Sequence, residues 1–264
     1  PQLIDIIIAS GAKLFVSAVG VPPKWAVEKL HGANILVMNM VGSPKHVPYA
    51  LAAGCDIICA QGGEGGGHTG DVASSILLPK CVDAVRGKTS SLTGEPIMVI
   101  GAGGIFDGRG LAMALTLGCA GAWVGTRFIC ATEAGASARH QKAVIDAGFH
   151  DTMRTIIYTG RPLRVLKTDY ILDWENNRAA EIREKTSRGI VPAADELERG
   201  AADGSIPPAK LLAARPLLMG SCAGAVSDIR PAAEIIESMV AEAADIFARI
   251  GSDVMVGGRV RARM

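Results

Sequence analysis

The stretch AQGGEGGGHTGDV, residues 60–72, decides how the chain is read. Six of its thirteen residues are glycine, which weakens local structure, and one imidazole sits among them. Either the run is a flexible linker or something approaches the backbone closely there. The flanks choose between the two. Asp56–Ala60 is a short apolar run, and Ser74–Val85 has a helical pattern. A linker is expected between polar flanks. Glycine between two buried elements reads instead as a βα loop at the carboxyl end of a parallel strand, where barrels and open α/β sheets place their sites.

The same rhythm extends both ways. Strand-like runs occur at Leu14–Val19, Ile35–Val41, Ile97–Gly101 and Ala122–Phe128, besides Asp56–Ala60. Helix-like patterns lie between them at Pro23–Leu30, Lys45–Ala53, Ser74–Val85 and Gly108–Leu117, with Asp107 placed as an N-cap. Short, nearly all-apolar strands alternating with helices predict βα units and a parallel sheet. Near Tyr170 the rhythm changes. Asp173–Arg188 is charged and helical in pattern, a mixed stretch follows to Pro216, and an amphipathic helix is expected over Pro231–Ile250. Its apolar face would be Ile235, Ile236, Met239, Val240, Ala243, Ala244 and Phe247.

With 264 residues, 49% hydrophobic and 20% charged, the chain can bury one large α/β core. A net charge of +1 points to neither a nucleic-acid partner nor an anionic membrane surface, and no apolar run is long enough to span a bilayer. No signal peptide is visible. The six cysteines (55, 59, 81, 119, 130 and 222) form no CxxC pair and no metal-ligand spacing. They read as buried, reduced thiols, so no metal is expected and a reducing, cytoplasmic location is.

Two further loops resemble the first. The strand Ile97–Gly101 runs into AGGIFDGRG (102–110), and Ala122–Val124 runs into GTRF (125–128). Glycine lets backbone N–H groups approach an anion, and adjacent glycine loops after the last strands of a barrel are a usual phosphate site. Tight turns alone are the plainer explanation, weakened by three such loops in a row. A dinucleotide fingerprint fits poorly. Residues 101–106 give G-x-G, but position 106 is Phe, and no acidic residue ends a following strand at the expected distance.

In this order, QGGEGGGH (61–68), AGGI with DGRG (102–110), GTRF (125–128) and TGRPLR (159–164) resemble the nitronate monooxygenase family, also called 2-nitropropane dioxygenases. FMN-dependent enoyl-acyl-carrier-protein reductases are similar in the same loops. The resemblance spans roughly Leu14 to Arg164 and continues more loosely to Ile250. It implies a TIM-type (β/α)8 barrel that binds FMN and carries a small, mostly helical extra domain. Carried onto this chain, it puts the FMN phosphate on Gly103, Gly104, Gly125 and Thr126 and Gln61 against the flavin ring. Gly66 and Gly67 let the ring and substrate pass close to the backbone, and His68 faces the substrate as catalytic base or proton donor.

Histidine suits proton transfer near neutrality, though a loop histidine held by its neighbours is the plain alternative. His31, His46, His140 and His150 read as structural. Glu64 reads as a turn or supporting carboxylate. Arg109, Arg127, Arg161 and Arg164 are either phosphate helpers or, for most of them, loop-pinning or surface pairs.

A closed barrel needs eight strands, and five are counted. The family's first three strands have no counterpart, so the chain is expected to be a fragment or processed piece with an exposed sheet edge. Three units are expected: a barrel portion over 1–170, a helical lid over 171–216, and a return to the barrel over 217–264. The leading functional expectation is an FMN enzyme oxidising small-molecule nitronates or nitroalkanes with O2. A second is an FMN-dependent reductase or dehydrogenase of an acyl-CoA or enoyl thioester using NAD(P)H. A third is a non-catalytic flavin-binding module, which would not need His68. Association into a homo-oligomer is left open.

Overall fold

The computed structural model describes residues 2–256 and 259–260, with side chains through residue 251. Five parallel strands form one sheet in the order β1-β2-β3-β5-β6. They are β1 (Leu14–Ser17), β2 (Leu36–Val41), β3 (Ile57–Gln61), β5 (Met98–Ala102) and β6 (Gly121–Trp123). Each falls within or beside an apolar run expected from the sequence. The fifth is shorter than expected: Ala122–Phe128 is strand only to Trp123, and Thr126–Ile129 turns into a short helix, α6. Gly125 stands at the N-cap of that helix. Among the described residues the sheet is open, with β1 and β6 at its edges.

Side chains alternate across the sheet as strand geometry requires. Val37, Ile58, Ala60 and Val99 join the main core, which also takes residues of α2 (Lys24–Gly32), α4 (Ser74–Val85), α5 (Gly108–Thr116) and α12 (Ala232–Val254). Met38, Ile57, Cys59 and Ala102 cluster on the opposite face with Val16, Met40 and Ile100. Helix α1 (Gln2–Ala9) precedes β1, and the expected Lys45–Ala53 helix divides into a 3-10 turn at Pro44–His46 and α3 (Val47–Ala53). Asp107 does cap α5, its Oδ1 accepting the Gly110 N–H at 3.0 Å. At the amino end of β3 the buried Asp56 carboxylate ties three segments together. It accepts the Val37 N–H at 2.7 Å, Ser90 Oγ at 2.6 Å, and lies 2.9 Å from His31 Nε2.

Helix α12 corrects the expected apolar face. Ile235, Met239 and Ala243 are buried against α5, but Ile236, Val240, Ala244 and Phe247 are exposed in this chain. The buried stripe is narrow because α5 approaches closely: a side chain at Gly108 would meet Met239 O and Ala243 N at 2.6 and 2.8 Å.

A second sheet is antiparallel, in the order β4-β8-β7. It consists of β4 (Gly67–His68), β7 (Thr152–Thr155), which follows α7 (Ala138–Asp146), and β8 (Leu163–Leu166). Periodicity anticipates none of these. Helices α8 (Asp169–Asn177), α9 (Ala179–Ser187) and α10 (Pro192–Ala202) pack on it, burying Ile171, Trp174, Ile182 and Ala193 against Ile157, Leu163 and Val165. Glu196 organises this cluster. Its carboxylate accepts from Tyr170 Oη, Trp174 Nε1 and Arg178 Nη1 at 2.7, 3.2 and 2.8 Å, and Arg178 lies over the Trp174 ring. A last short helix, α11 (Pro208–Ala213), follows. The charged sequence after Tyr170 thus forms helices on the small sheet that carries His68.

All six cysteines are free and buried. Burial pushes the thiols of Cys55, Cys59 and Cys81 up to about 12 and that of Cys119 to about 11. A pKa raised by folding stabilises the native state fully below the unfolded value, about 8.5, and that contribution is lost as pH climbs toward the folded value. In native protein at neutral pH a disulfide-exchange reagent should therefore modify these thiols slowly, and in denaturant all six should react. Rapid native labelling of several thiols would contradict the burial.

Candidate functional site

The glycine loop leaves β3 at Gln61 and is pinned at every turn. Glu64 reaches the amino end of α4, which has no side-chain cap of its own. Its carboxylate accepts the Ser74 N–H at 3.1 Å and Ser74 Oγ at 2.9 Å, where a negative charge is favoured. Thr69 Oγ1 donates to Gly62 O at 2.8 Å, and Ser221 N donates to Glu64 O at 2.9 Å. The two arginines of the small sheet hold the loop from above. Arg164 donates to Gly63 O through Nε and Nη2 at 3.2 and 3.0 Å. Arg154 donates to Gly70 O at 2.9 Å and pairs with Asp71 at 2.6 Å. Burial, with Arg154 nearby, lowers the pKa of Arg164 from its ordinary value.

Most of the loop's glycines answer to the protein's own atoms. An added side chain at Gly62 would strike Ser74 Oγ, at Gly65 the Gln61 amide, and at Gly66 the Met219–Gly220 backbone at 2.6 Å. Gly103 (φ +89°) faces Gly62 O at 2.8 Å. At Gly62, Gly65, Gly66 and Gly103 the loops press against each other, a requirement for glycine separate from the room for a flat cofactor expected from the sequence. Gly125 differs, with a negative φ (−107°) and nothing within 4 Å of an added side chain.

All eight residues singled out from the sequence line one cavity of about 390 Å³: Gln61, Gly66, Gly67, His68, Gly103, Gly104, Gly125 and Thr126. The N–H groups of Gly103, Gly104 and Gly125 donate to no acceptor among the described residues. Unpaired backbone donors on a cavity wall need a ligand or water to satisfy them. Thr126 is buried, and its Oγ1 accepts the Gly220 N–H at 2.8 Å. His68 is exposed, and its Nε2 lies 2.9 Å from Thr159 Oγ1.

A second cavity, of about 590 Å³, adjoins the first, and Ala18, Val19, Met40, Gln61 and His68 line both. It is mostly apolar; besides the shared Gln61 and His68, its polar side chains are Asn39, His46, Tyr49, Thr69 and Arg161. Sequence reasoning missed this half of the site. Its Val19 and Met40 sit at or just beyond carboxyl ends of strands, the one signal that could have found them. Val19 is also strained. Its φ is +60°, uncommon for a β-branched residue. Two side chains hold its loop: Arg161 donates to Val19 O at 2.9 Å, and Asn39 Nδ2 donates to Gly20 O at 2.7 Å.

The remaining candidates take structural places. Arg127 is buried and bonded to Asp228, and Arg109 is exposed and paired with Asp107. His140 bonds Leu218 O at 2.8 Å, and the backbone of His150 accepts from Lys167. His46, read as structural, opens on the second cavity instead. Among the described residues no cluster of His, Cys, Asp or Glu could hold a metal ion, and no helix is long and apolar enough to cross a membrane.

Residues 1–242 match the family model described as nitronate monooxygenase. The Mycobacterium tuberculosis protein Rv1533, named as a monooxygenase, is 33% identical over 94% of this chain and 64% of its own length. The (3aS,4S,5R,7aS)-5-hydroxy-7a-methyl-1-oxo-octahydro-1H-indene-4-carboxyl-CoA dehydrogenase of the same organism is 38% identical over 67% of this chain and 48% of its own. The chain therefore spans about half to two thirds of the length of these curated relatives. Among solved structures, FabK from Thermotoga maritima superposes with a TM-score of 0.74 at 26% identity, covering 95% of this chain and 74% of that one. With its barrel-type sheet, its three glycine loops on one cavity and a family match over most of its length, the chain belongs to the nitronate monooxygenase family.

Proposed function

We propose that the protein is an FMN-dependent oxidoreductase of the nitronate monooxygenase type, oxidising nitronates or nitroalkanes with O2, and that His68 moves the proton. One observation carries this reading: residues from three βα loops and from β4 converge on one cavity, with unpaired N–H donors on one wall and an imidazole on another. The residues present fit FMN. A phosphate supplies acceptors for the N–H groups of Gly103, Gly104 and Gly125. The bare edge of Gly125 leaves space there, and the nearby Glu64 carboxylate is already engaged by Ser74. Gln61 and Gly67 would line the flavin ring. Bound FMN supplies the electron transfer between substrate and O2.

The protein's own part is positional and acid–base. Arg154 and Arg164 hold the loop that carries His68. His68 then takes a proton from the carbon beside the nitro group, or binds an anion already formed. The segment 171–216, whose helices α8–α10 pack on the same small sheet, acts as the lid that shapes access and excludes water. The buried reduced thiols fit a cytoplasmic setting.

The second cavity favours one alternative. About 590 Å³ of mostly apolar space exceeds what a small nitroalkane fills, and suits the acyl part of a thioester reduced or dehydrogenated with NAD(P)H as partner. Anaerobic mixing with NADH or NADPH separates the two: rapid bleaching of the flavin absorbance supports the reductase, and none supports the oxygen-using enzyme.

Two substitutions test the site itself. His68→Asn should keep the flavin and lower turnover of a neutral nitroalkane by roughly 10²–10⁴, the usual worth of general acid–base catalysis. Turnover of the pre-ionised nitronate should fall much less; equal losses would make His68 an anion binder. Gly125→Asp has room and an ordinary φ, so the fold should persist while flavin content drops, because a carboxylate there repels a phosphate. Unchanged flavin content in that variant would place the phosphate elsewhere.

A further inference from the structure

The motif TGRPLR (159–164) is only partly accounted for by its two arginines. Its first residue touches His68. Thr159 Oγ1 lies 2.9 Å from His68 Nε2, donates to Arg161 O at 3.1 Å, and accepts the Arg161 N–H at 3.3 Å. A hydroxyl has one proton to give. Directed to the Arg161 carbonyl, which can only accept, that proton leaves a hydroxyl lone pair toward His68, and the ring nitrogen facing it then carries the hydrogen.

We infer that Thr159 is a positioning residue that fixes His68 as the Nε2–H tautomer, leaving Nδ1 as the nitrogen that exchanges a proton with substrate. The assignment follows from the bond network around the ring. The turn is built to hold this geometry. Gly160 takes φ +71°, which lets the Thr159 hydroxyl close on Arg161, and Arg161 is itself tied to Val19 O. The His68 backbone pairs with Leu163, so backbone and ring are held by the same motif. The partner is a neutral hydroxyl, so it orients the imidazole without placing a carboxylate beside it.

The inference rests on the proposed reading of His68 as the proton-transfer group. In that step a C–H bond beside the activating group breaks and an N–H bond forms at Nδ1, while the electron pair stays with the substrate carbon. The imidazolium keeps its Nε2–H on Thr159 Oγ1. In the reverse direction the same Nδ1–H gives the proton back.

The test uses the full FMN-loaded chain with 15N-labelled histidine, at a pH high enough to keep the imidazoles neutral. Long-range proton–nitrogen correlation spectra report each ring's tautomer, and His68→Asn identifies the His68 signals. The wild type and Thr159→Ser should both show the Nε2–H form, and Thr159→Val a mixture of tautomers. Thr159→Val should also lower kcat on a neutral nitroalkane about five- to tenfold with KM little changed, the effect of losing one neutral hydrogen bond, and Thr159→Ser should restore it. An Nδ1–H ring in the wild type, or the same single tautomer in Thr159→Val, overturns the inference. If the tautomers behave as stated but neither His68→Asn nor Thr159→Val changes turnover, the proton-transfer reading fails and the Thr159 assignment stands.

Discussion

The site depends on a short backbone ladder. Gly67 and His68 pair antiparallel with Arg164 and Leu163. This two-residue contact joins the parallel sheet's longest glycine loop to the small sheet, on which helices α8–α10 pack. It is weak by itself, because so few bonds are involved. The arginines on either side reinforce it with charge-assisted bonds to loop carbonyls, which are stronger than neutral ones. Glu64 anchors the loop's opposite side at the start of α4. A glycine-rich segment that would otherwise be mobile becomes a fixed shelf.

That shelf explains two features that look unrelated. The loops at Gly62 and Gly103 approach to backbone contact, so no side chain fits between them, and the cavity wall there is made of peptide groups. Peptide N–H groups are the natural partners of an anion. The second cavity begins where this wall ends, with His68 and Gln61 shared between the two. A cofactor on the polar wall and an apolar substrate beyond it would meet at His68. The strained Val19, held by Arg161 and Asn39, forms part of the same boundary.

Much of this was legible in the sequence, for identifiable reasons. Parallel strands buried on both faces read as short apolar runs, so the five βα units could be placed, and Asp107 stood where an N-cap belongs. The rule that α/β sites lie at carboxyl strand ends placed the three glycine loops, and the family resemblance picked out the eight residues that line one cavity. The small sheet was hidden because its strands are four residues or fewer and carry arginines at the positions that hold the loop. The exposed apolar residues of α12, Ile236, Val240 and Phe247, show the opposite limit. Periodicity marks an apolar face but not how much of it a neighbour covers. His46 and Tyr49 gave no signal, since an exposed side chain beside a cavity has the same local pattern as any surface residue.

A crystal structure of the protein with FMN bound tests the central claim most directly. The account predicts the phosphate between Gly103–Gly104 and Gly125–Thr126, accepting from their backbone N–H groups, the ring along Gln61 and Gly67, and His68 facing it across the shared boundary of the two cavities. A phosphate bound away from those loops, or a ring lying out of reach of His68, would contradict it.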